Sequence, residues 1–293
     1  MNILKRFWQF QEERFPLKIL VFTTAATVMT SAAILGYSAC WCKVVMAFFT
    51  IMFFLYHIRV IDESRDFGQD SQLYPGRPVQ RGLITIRELF LIDLIGIALI
   101  ILFSVYSGWN TVVMTIAVFL FTTLAWKDFF LQKFFADKPL LYHIVNSPQM
   151  ALILILVYTM YTGTMHISPV MWMHLGFVYV NIFILEMIRK IKVGTDESAG
   201  TDTYSVTMGY KRSLLFTLGL ILLSGMSYAG ILMLLGKPFL GYILYSLPVI
   251  LFAGASVLLH RKKAEKRTEK LVLLSVLLVY VTLNALICIF NLN

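Results

Sequence analysis

Nine apolar runs divide the sequence, and each is close to the length that a helix needs to cross a lipid bilayer. A hydrocarbon core about 30 Å thick takes roughly 20 apolar residues in helical form. The sequence lacks the ten-residue segments of alternating polarity that are typical of a membrane β-barrel. The runs are 19–38, 44–58, 89–106, 111–126, 141–161, 170–185, 214–235, 239–259 and 271–290. The sequence therefore predicts an all-α, polytopic membrane protein with nine transmembrane helices.

The composition favours the same fold class. Of the 293 residues, 59% are hydrophobic and only 14% are charged, whereas soluble domains have about 45–50% and 25%. A mean hydropathy of +0.78 excludes a disordered chain and a soluble domain with a single anchor. The first 18 residues are polar, charged and aromatic, so we expect no cleavable signal. The three cysteines predict neither a disulfide framework nor a spaced metal site.

The basic residues predict the orientation in the membrane. If the N-terminus is cytoplasmic, 23 of the 25 Lys and Arg residues fall on the cytoplasmic face, and only Lys43 and Lys237 fall on the other. Basic loops stay on the cytoplasmic side, so the net charge of +9 reflects topology and not binding to nucleic acid. We expect a multi-pass protein of the bacterial inner membrane, with no obligatory protein partner.

Local signals predict several helix ends. Thr85 and Glu88 have the spacing of a capping box before the third helix. Ser168 and Pro169 suit the N-cap and first turn of the sixth helix. The residues Gly-Lys-Pro at 236–238 predict a break between the seventh and eighth helices.

Half of the 16 acidic residues lie in two short stretches, each at the predicted cytoplasmic end of a helix. The acids of the first stretch are Asp62, Glu63, Asp66 and Asp70. If the second helix continues through this stretch, residues 63, 66 and 70 share one face and repel one another. Mg²⁺ would neutralise them and share a substrate's phosphates. An open alternative is a solvated edge in which Glu63 and Asp66 pair with Arg59 or Arg65.

The second stretch follows the sixth helix and mixes acids with bases. Its acids are Glu186, Asp196, Glu197 and Asp202, and its bases include Arg189 and Lys190. Carboxylates for a metal ion beside cations for phosphate oxygens predict a diphosphate site. An open alternative is an i, i+4 salt bridge between Glu186 and Lys190, followed by a solvated loop.

Three further ionisable residues have open roles. Arg77 lies in a turn-rich segment after the first acidic stretch, where it either reaches a phosphate or only sets the topology. Asp93 lies about one turn inside the third helix, where a carboxylate is costly, so it is either paired or functional. His57, near the first acidic stretch, is interpreted as structural.

The acidic stretches and the residues that follow the first one resemble the motifs of the UbiA superfamily of intramembrane prenyltransferases. That family carries Asn-Asp-x-x-Asp-x-x-x-Asp after its second helix, then Arg-Pro and a glycine. The residues here are Asp62, Glu63, Asp66 and Asp70, followed by Arg77, Pro78 and Gly82. The family's second motif resembles residues 186–202, and its nine helices match the predicted number.

The sequence departs from the family pattern in two places. Asp62 replaces the usual Asn, and Glu63 replaces the usual first Asp, so the oxygen ligands are kept but their reach changes. The second motif has basic residues after Glu186 where many members have further Asp. The chain therefore resembles a less characterised branch of the superfamily.

The resemblance implies Mg²⁺-dependent transfer of an isoprenyl group from a prenyl diphosphate to a lipophilic acceptor, which we expect to be an aromatic quinone-type precursor. It implies one domain over residues 1–293, with two pseudo-equivalent halves and nine helices around a central cavity open to lipid. Both acidic motifs are expected to bind Mg²⁺ around the diphosphate at the cytoplasmic face and to stabilise it as it leaves. Membrane lipids surround the site.

The resemblance also implies a set of site residues. The metal ligands are expected to be Asp62, Glu63, Asp66, Asp70, Glu186, Asp196 and Glu197. The residues expected to bind diphosphate are Arg77, Lys127, Arg189 and Lys190. The catalytic residues are expected to be Asp66, Asp70 and Asp202.

Other functions stay open at this point. A membrane transporter is the main alternative, although transporters place ionisable groups near the bilayer midplane and these acids gather at one face. A prenyl-diphosphate hydrolase or cyclase would use the same site without an acceptor. A non-catalytic scaffold is the third alternative, because two positions of the first motif depart from the family pattern.

Overall fold

The computed structural model describes residues 2–135, 138–191 and 203–291. Of the residues in these ranges, 84% are helical, and none of them forms a strand. Within those ranges, nine segments are long and apolar enough to cross a membrane. These segments are Leu17–Ile34, Trp41–Arg65, Ile86–Ser107, Trp109–Trp126, Leu140–Thr162, Pro169–Arg189, Ser205–Leu234, Leu240–Lys262 and Lys266–Asn291. The predicted all-α polytopic fold is confirmed.

Shorter helices flank the membrane segments. In chain order the helices are α1 (Ile3–Arg14), α2 (Leu17–Ile34), α3 (Trp41–Arg65), α4 (Phe67–Leu73), α5 (Ile86–Ser107), α6 (Trp109–Trp126), α7 (Gln132–Phe135), α8 (Pro139–Asn146), α9 (Pro148–Thr162), α10 (Pro169–Arg189), α11 (Tyr210–Leu234), α12 (Phe239–Lys262) and α13 (Lys266–Asn291). A 3₁₀ turn covers Asp128–Phe130, and a π-helical turn covers Ser205–Gly209.

The predicted helix ends are confirmed. Helix α5 begins with a capping box, in which the Thr85 hydroxyl accepts from the Glu88 amide at 3.2 Å and the Glu88 carboxylate accepts from the Thr85 amide at 2.9 Å. Helix α10 begins at Pro169, directly after Ser168. Helix α11 ends at Leu234 and α12 begins at Phe239, as the Gly-Lys-Pro break predicts.

Two membrane segments differ in detail from their predicted form. Helix α3 ends at Arg65, seven residues beyond the predicted run, because the polar turn after the apolar run also forms a helix. The predicted run 141–161 consists of α8 and α9, which meet at Ser147. Pro148 has no amide hydrogen to donate into the preceding turn, and this interrupts the helix.

The chain divides into two compact units, and the first contains the first acidic stretch. This unit consists of Met1–Val28, Ala39–Gln132 and Leu156–Met165. Within it, α3 packs against α5 and α6. Ser104 of α5 and Thr115 of α6 share a buried hydrogen bond of 2.6 Å, which satisfies two polar groups that lipid could not solvate.

An aromatic core fixes the N-terminal segment of the first unit. Phe10 of α1 and Phe15 are buried against Tyr56 of α3 and Leu89 of α5. The Phe15 and Tyr56 rings meet edge to face, with centroids 5.6 Å apart. This packing holds the C-terminal end of α1, and therefore Arg14, beside the last turns of α3.

The second unit contains the second acidic stretch and consists of Met29–Ser38, Lys133–Ile155 and His166–Asn293. Within it, α10 packs against α11 and α13, and α12 packs against α11 and α13. Asn181 of α10 donates to the Ser224 hydroxyl at 2.8 Å, and Ser224 donates back at 3.1 Å. Such paired polar groups stabilise helix contacts in lipid.

Candidate active site

The first acidic stretch bends at Asp66. Helix α3 ends at Arg65, Asp66 has φ −88° and ψ 0°, and α4 begins at Phe67. The helix therefore does not continue unbroken through the stretch, so one face of one helix does not carry residues 63, 66 and 70. Aspartate favours helix ends over helix interiors, which fits its position at the junction. The four acids divide into two sets with different partners.

The first set surrounds one arginine, and we call it the Arg65 cluster. Its members are Arg65, Asp62, Asp66 and Asp128. The Arg65 guanidinium lies 3.2 Å from the Asp62 carboxylate, 2.8 Å from that of Asp66 and 3.8 Å from that of Asp128. The Asp62 and Asp66 side chains are 34% and 42% exposed. One positive charge thus faces three negative charges that solvent can reach.

Asp128 reaches this cluster through a strained turn after α6. Asp128, Phe129 and Phe130 have φ angles of 49°, 54° and 60°, in the left-handed region that non-glycine residues rarely adopt. The Phe129 ring packs edge to face on Phe121, with centroids 5.4 Å apart. Sequence reasoning missed Asp128. The available signal was its position directly after Lys127, at the end of a membrane helix.

The second set is the three-arginine cluster, which consists of Arg14, Arg59, Arg77, Glu63 and Asp70. Glu63 Oε1 accepts a hydrogen bond from Arg14 Nε at 2.8 Å and another from Arg59. Asp70 pairs with Arg77 and lies 3.8 Å from the Arg14 guanidinium. The Glu63 side chain is 0% exposed. Three positive charges thus face two negative charges, and the Glu63 carboxylate is out of contact with solvent.

A cleft of about 350 Å³ opens beside this cluster. It is lined by Glu13, Arg14, Tyr74, Gly76, Arg77 and Pro78. The Arg77 guanidinium stacks on the Tyr74 ring, 3.9 Å from its centroid. Glu13 pairs with Arg81 at 2.7 Å, and the hydrogen bond from Arg81 lowers the pKa of Glu13 below its ordinary value. The cleft therefore presents two guanidinium groups whose directions are fixed by neighbouring side chains.

The pairings correspond to the open alternative for the first stretch. Glu63 pairs with Arg59, and Asp66 pairs with Arg65. Lys127 ends α6, and its ammonium lies 4.0 Å from the Trp126 ring centroid. The role of Lys127 in diphosphate binding stays a prediction.

The second acidic stretch is only partly within the described residues. Glu186, in the last turn of α10, lies 2.7 Å from Arg189 and 3.6 Å from Lys190, so the predicted i, i+4 salt bridge forms. Asp196, Glu197 and Asp202 lie outside the described residues. The carbonyl of Lys190 accepts from the amide of Tyr204 at 3.0 Å, so these two described residues lie side by side.

Asp93 is paired within the membrane segment α5. Its carboxylate lies 2.7 Å from Nδ1 of His57 on α3, and the Asp93 side chain is 2% exposed. The His57 ring also meets Phe119 edge to face, with centroids 5.3 Å apart. The pair removes the cost of a lone carboxylate in lipid, so of the two open roles for Asp93 the structure supports pairing.

The described acids differ in their fit to a divalent cation. Asp62 and Asp66 fit, because they are partly exposed oxygen donors that already converge on one cationic group. Glu63 does not fit, because it is buried and one of its oxygens already accepts from two arginines. Within the described ranges, no three His, Cys, Asp or Glu side chains are arranged to hold a metal ion together.

The nine membrane-spanning helices of the described ranges and the charged site at the end of α3 are features of a polytopic membrane enzyme. A model of the UbiA prenyltransferase family matches residues 19–279, and the chain belongs to that family. It is a UbiA-type prenyltransferase, an integral membrane enzyme that transfers a prenyl group to a lipophilic acceptor. Family members generally use a divalent metal ion. The predicted family and enzyme class are confirmed.

A solved structure shares the fold. It is the structure of a digeranylgeranylglyceryl phosphate synthase, which acts in membranes. The alignment covers 98% of this chain and 99% of that chain, with a TM-score of 0.61 and 15% sequence identity. A comparison with curated protein sequences finds no match.

Proposed function

We propose that this prenyltransferase uses Mg²⁺ to transfer an isoprenyl group from a prenyl diphosphate to an aromatic, quinone-type precursor in the membrane. The observation that carries the metal dependence is the Arg65 cluster, where three carboxylates share one guanidinium. Such a cluster presents partly exposed carboxylate oxygens, which are the ligands that a hard divalent cation takes. Bound Mg²⁺ supplies Lewis-acid stabilisation of the leaving diphosphate.

The proposal gives separate roles to the acids and the bases. Among the described acids, Asp62 and Asp66 are the proposed metal ligands of the first motif. In the second motif, Glu186, Asp196 and Glu197 are proposed as ligands, and Asp202 is proposed as catalytic. The residues proposed to bind diphosphate oxygens are Arg77, Lys127, Arg189 and Lys190. Asp70 is proposed as a catalytic residue beside Arg77, with which it pairs; its predicted role as a metal ligand is not carried forward, because this pairing and its burial leave it little access to an ion.

The shape of the substrate supports a site at a membrane edge. A prenyl diphosphate joins a highly charged head to a long apolar tail, so its two ends need different surroundings. The charged side chains at the end of α3 suit the diphosphate head. We propose that a cavity open to lipid holds the apolar tail. Exclusion of water is required in this site, because water would trap an allylic cation before the acceptor does.

A second acceptor class follows from the structural comparison. The similar solved structure is that of a digeranylgeranylglyceryl phosphate synthase, so a phosphate-bearing glycerol lipid is the second candidate acceptor. The quinone-type precursor lacks a phosphate, and the two acceptors therefore separate in an assay. The proposal treats residues 1–293 as one domain, with its N-terminus and active face cytoplasmic in a bacterial inner membrane, as the basic residues favour.

The test is a transfer assay with the purified full-length protein. Radiolabelled isoprenyl diphosphates of several lengths are supplied with Mg²⁺ and either a quinone-type phenol or a glycerol phosphate lipid. We expect a labelled lipid product that disappears when EDTA replaces Mg²⁺. Release of free prenol alone would identify a hydrolase, and a product that survives EDTA would contradict the metal dependence.

A matched pair of variants tests the site. Asp66→Asn is expected to lower kcat by roughly a hundredfold, because a lost metal ligand removes several kcal/mol of transition-state stabilisation. Glu12→Gln is the control, since Glu12 is an exposed acid that accepts from Trp8 outside both clusters. Full activity of the Asp66 variant would remove this residue from the site.

A further inference from the structure

We propose that Glu63 is not a metal ligand but a positioning residue, which holds Arg14 so that Arg14 and Arg77 form a metal-independent site for a phosphoryl anion. This inference rests on the proposed function, because it assigns the diphosphate or phosphate of a substrate to the cleft beside Tyr74. From the family motif, Glu63 is expected to be a metal ligand in the position of the first aspartate. This inference replaces that role with a positioning role.

The position of Glu63 is the first argument. Its side chain is 0% exposed, and Oε1 accepts from Arg14 and Arg59. The other oxygen, Oε2, is also buried and accepts no hydrogen bond within the described part of the chain. Mg²⁺ keeps several waters when it binds protein carboxylates, so a hydrated ion cannot reach this enclosed group without moving both arginines.

The charge balance is the second argument. In the three-arginine cluster, three guanidiniums contact two carboxylates, so guanidiniums outnumber carboxylates among these contacts. In the Arg65 cluster, three carboxylates lie within 4 Å of one guanidinium, so carboxylates outnumber guanidiniums among these contacts. We therefore expect a cation to bind at the Arg65 cluster and an anion at the three-arginine cluster. Acids that are adjacent in the sequence therefore serve ligands of opposite charge.

The directions of the arginines are the third argument. Glu63 uses Nε of Arg14, and Asp70 uses one terminal nitrogen of Arg77. A guanidinium has about five N–H donors in a rigid fork, so both arginines keep donors for another acceptor. Both line the same cleft, and Arg77 is stacked on Tyr74. Phosphoryl oxygens are the acceptors that such forks bind in pairs.

The role of Glu63 follows from the second contact of Arg14. The Arg14 guanidinium lies 3.8 Å from Asp70, which is too long for a hydrogen bond. Without the Glu63 carboxylate, we expect Arg14 to move onto Asp70 and to turn its donors away from the cleft. Glu63 thus acts on the anion through Arg14, without touching it.

The test separates anion binding from metal binding in the full-length protein in detergent. Isothermal titration with inorganic pyrophosphate in EDTA measures the anion site, and Mn²⁺ titration followed by electron paramagnetic resonance measures the metal site. Arg14→Gln and Arg77→Gln are each expected to weaken pyrophosphate binding about tenfold, as loss of a charged hydrogen bond does. Arg6→Gln is the control, because Arg6 pairs with Glu88 with similar exposure outside the cleft.

The decisive variants are Glu63→Gln and Asp66→Asn. Glu63→Gln is expected to weaken pyrophosphate binding about fivefold through the loss of one charged hydrogen bond and to leave Mn²⁺ affinity unchanged. Asp66→Asn is expected to do the reverse. In an Arg14→Gln background, Glu63→Gln is expected to have no further effect on pyrophosphate binding, because residues that act through one another are not additive. Glu63→Asp is the conservative variant and is expected to restore part of the affinity.

Two results would overturn the inference. One is a Glu63→Gln protein that loses Mn²⁺ affinity as Asp66→Asn does. The other is a folded Glu63→Gln protein that binds pyrophosphate as tightly as the unaltered chain, or more tightly. Tighter binding of pyrophosphate than of inorganic phosphate assigns the cleft to the donor's diphosphate, and equal binding assigns it to a phosphate monoester. These readouts need no turnover, so they stand or fail separately from the transfer assay.

Discussion

The Arg65 cluster and the three-arginine cluster each take two acids from the same nine residues, 62–70, yet they differ in charge and burial. Asp62 and Glu63 are neighbours in the sequence, but successive side chains on a helix point roughly 100° apart. Asp62 therefore meets Arg65, whereas Glu63 faces Arg14 and Arg59. The comparison teaches that the acids of one motif are separated by the helix face for Asp62 and Glu63, and by the break at Asp66 for Asp70.

Exposure separates the two clusters further. The Asp62 and Asp66 side chains are partly open to solvent, whereas Glu63 and Asp70 are almost completely enclosed. Exposed ion pairs contribute little to stability and exchange partners easily. Buried pairs are costly to break, because the remaining charge is left without a partner. We therefore expect the first cluster to rearrange around a ligand and the second to hold its geometry.

The largest expected effect is on stability, in the buried cluster. Glu63→Ala leaves Arg59 and Arg14 without their shared carboxylate, and it should lower the free energy of unfolding by about 3–5 kcal/mol. Asp62→Ala is the matched change at the neighbouring exposed acid, and it should cost at most about 1 kcal/mol. Thermal unfolding of both variants in detergent measures the difference. If both variants lost the same free energy of unfolding, the difference in burial between the two clusters would have no effect on stability.

The next effect concerns metal affinity, in the exposed cluster. Asp128→Asn removes one of the three carboxylates around Arg65 and should weaken Mn²⁺ binding about fivefold, or roughly 1 kcal/mol, as expected for a partly screened charge. Asp70→Asn is the comparison, because Asp70 belongs to the three-arginine cluster. This variant should bind Mn²⁺ with an affinity within about twofold of that of the unaltered protein. Unchanged Mn²⁺ affinity in the Asp128 variant would limit the cluster to Asp62 and Asp66.

The smallest effect is at the edge of the cleft, where Glu13 pairs with Arg81. The hydrogen bond from Arg81 lowers the pKa of Glu13 from its ordinary value of 4.5. The pair therefore adds stability above that value, and this stability is lost as the pH falls through the lower pKa of the folded state. Since the Glu13 side chain is 37% exposed, the contribution should stay below about 0.5 kcal/mol.

Unfolding of the unaltered protein and of Glu13→Gln at pH 6 and pH 3.5 measures this contribution. We expect the Glu13 variant to be slightly less stable than the unaltered protein at pH 6, and we expect this difference to be smaller at pH 3.5. A difference that grows as the pH falls would contradict the assignment.

The sequence predicts the membrane helices well because each is encoded locally. Apolar runs near 20 residues define the spans, and the capping box of Thr85 and Glu88 lies within one turn of the helix that it begins. The salt bridge of Glu186 with Lys190 is predictable for the same reason. Pro148 also carries a local signal, and its effect on α8 and α9 follows from its missing amide hydrogen.

The partners of the first motif are not encoded locally. Arg14 lies 49 positions before Glu63 and meets it only because Phe10 and Phe15 pack against α3 and α5. Asp128 reaches Arg65 through a left-handed turn that no residue preference favours. The acids were therefore identifiable from the sequence, but their division into two clusters depends on tertiary packing. Asp196, Glu197 and Asp202 stay predictions outside the described residues.

The hydrogen bond between Lys190 and Tyr204 has a consequence for engineering and for divergence among homologues. It joins the chain on either side of the second motif, so the intervening segment starts and finishes at one place. The entropy of closing such a loop changes slowly with its length. A change in the number of residues between these two anchors is therefore expected to cost little free energy of folding, provided that the hydrogen bond is kept.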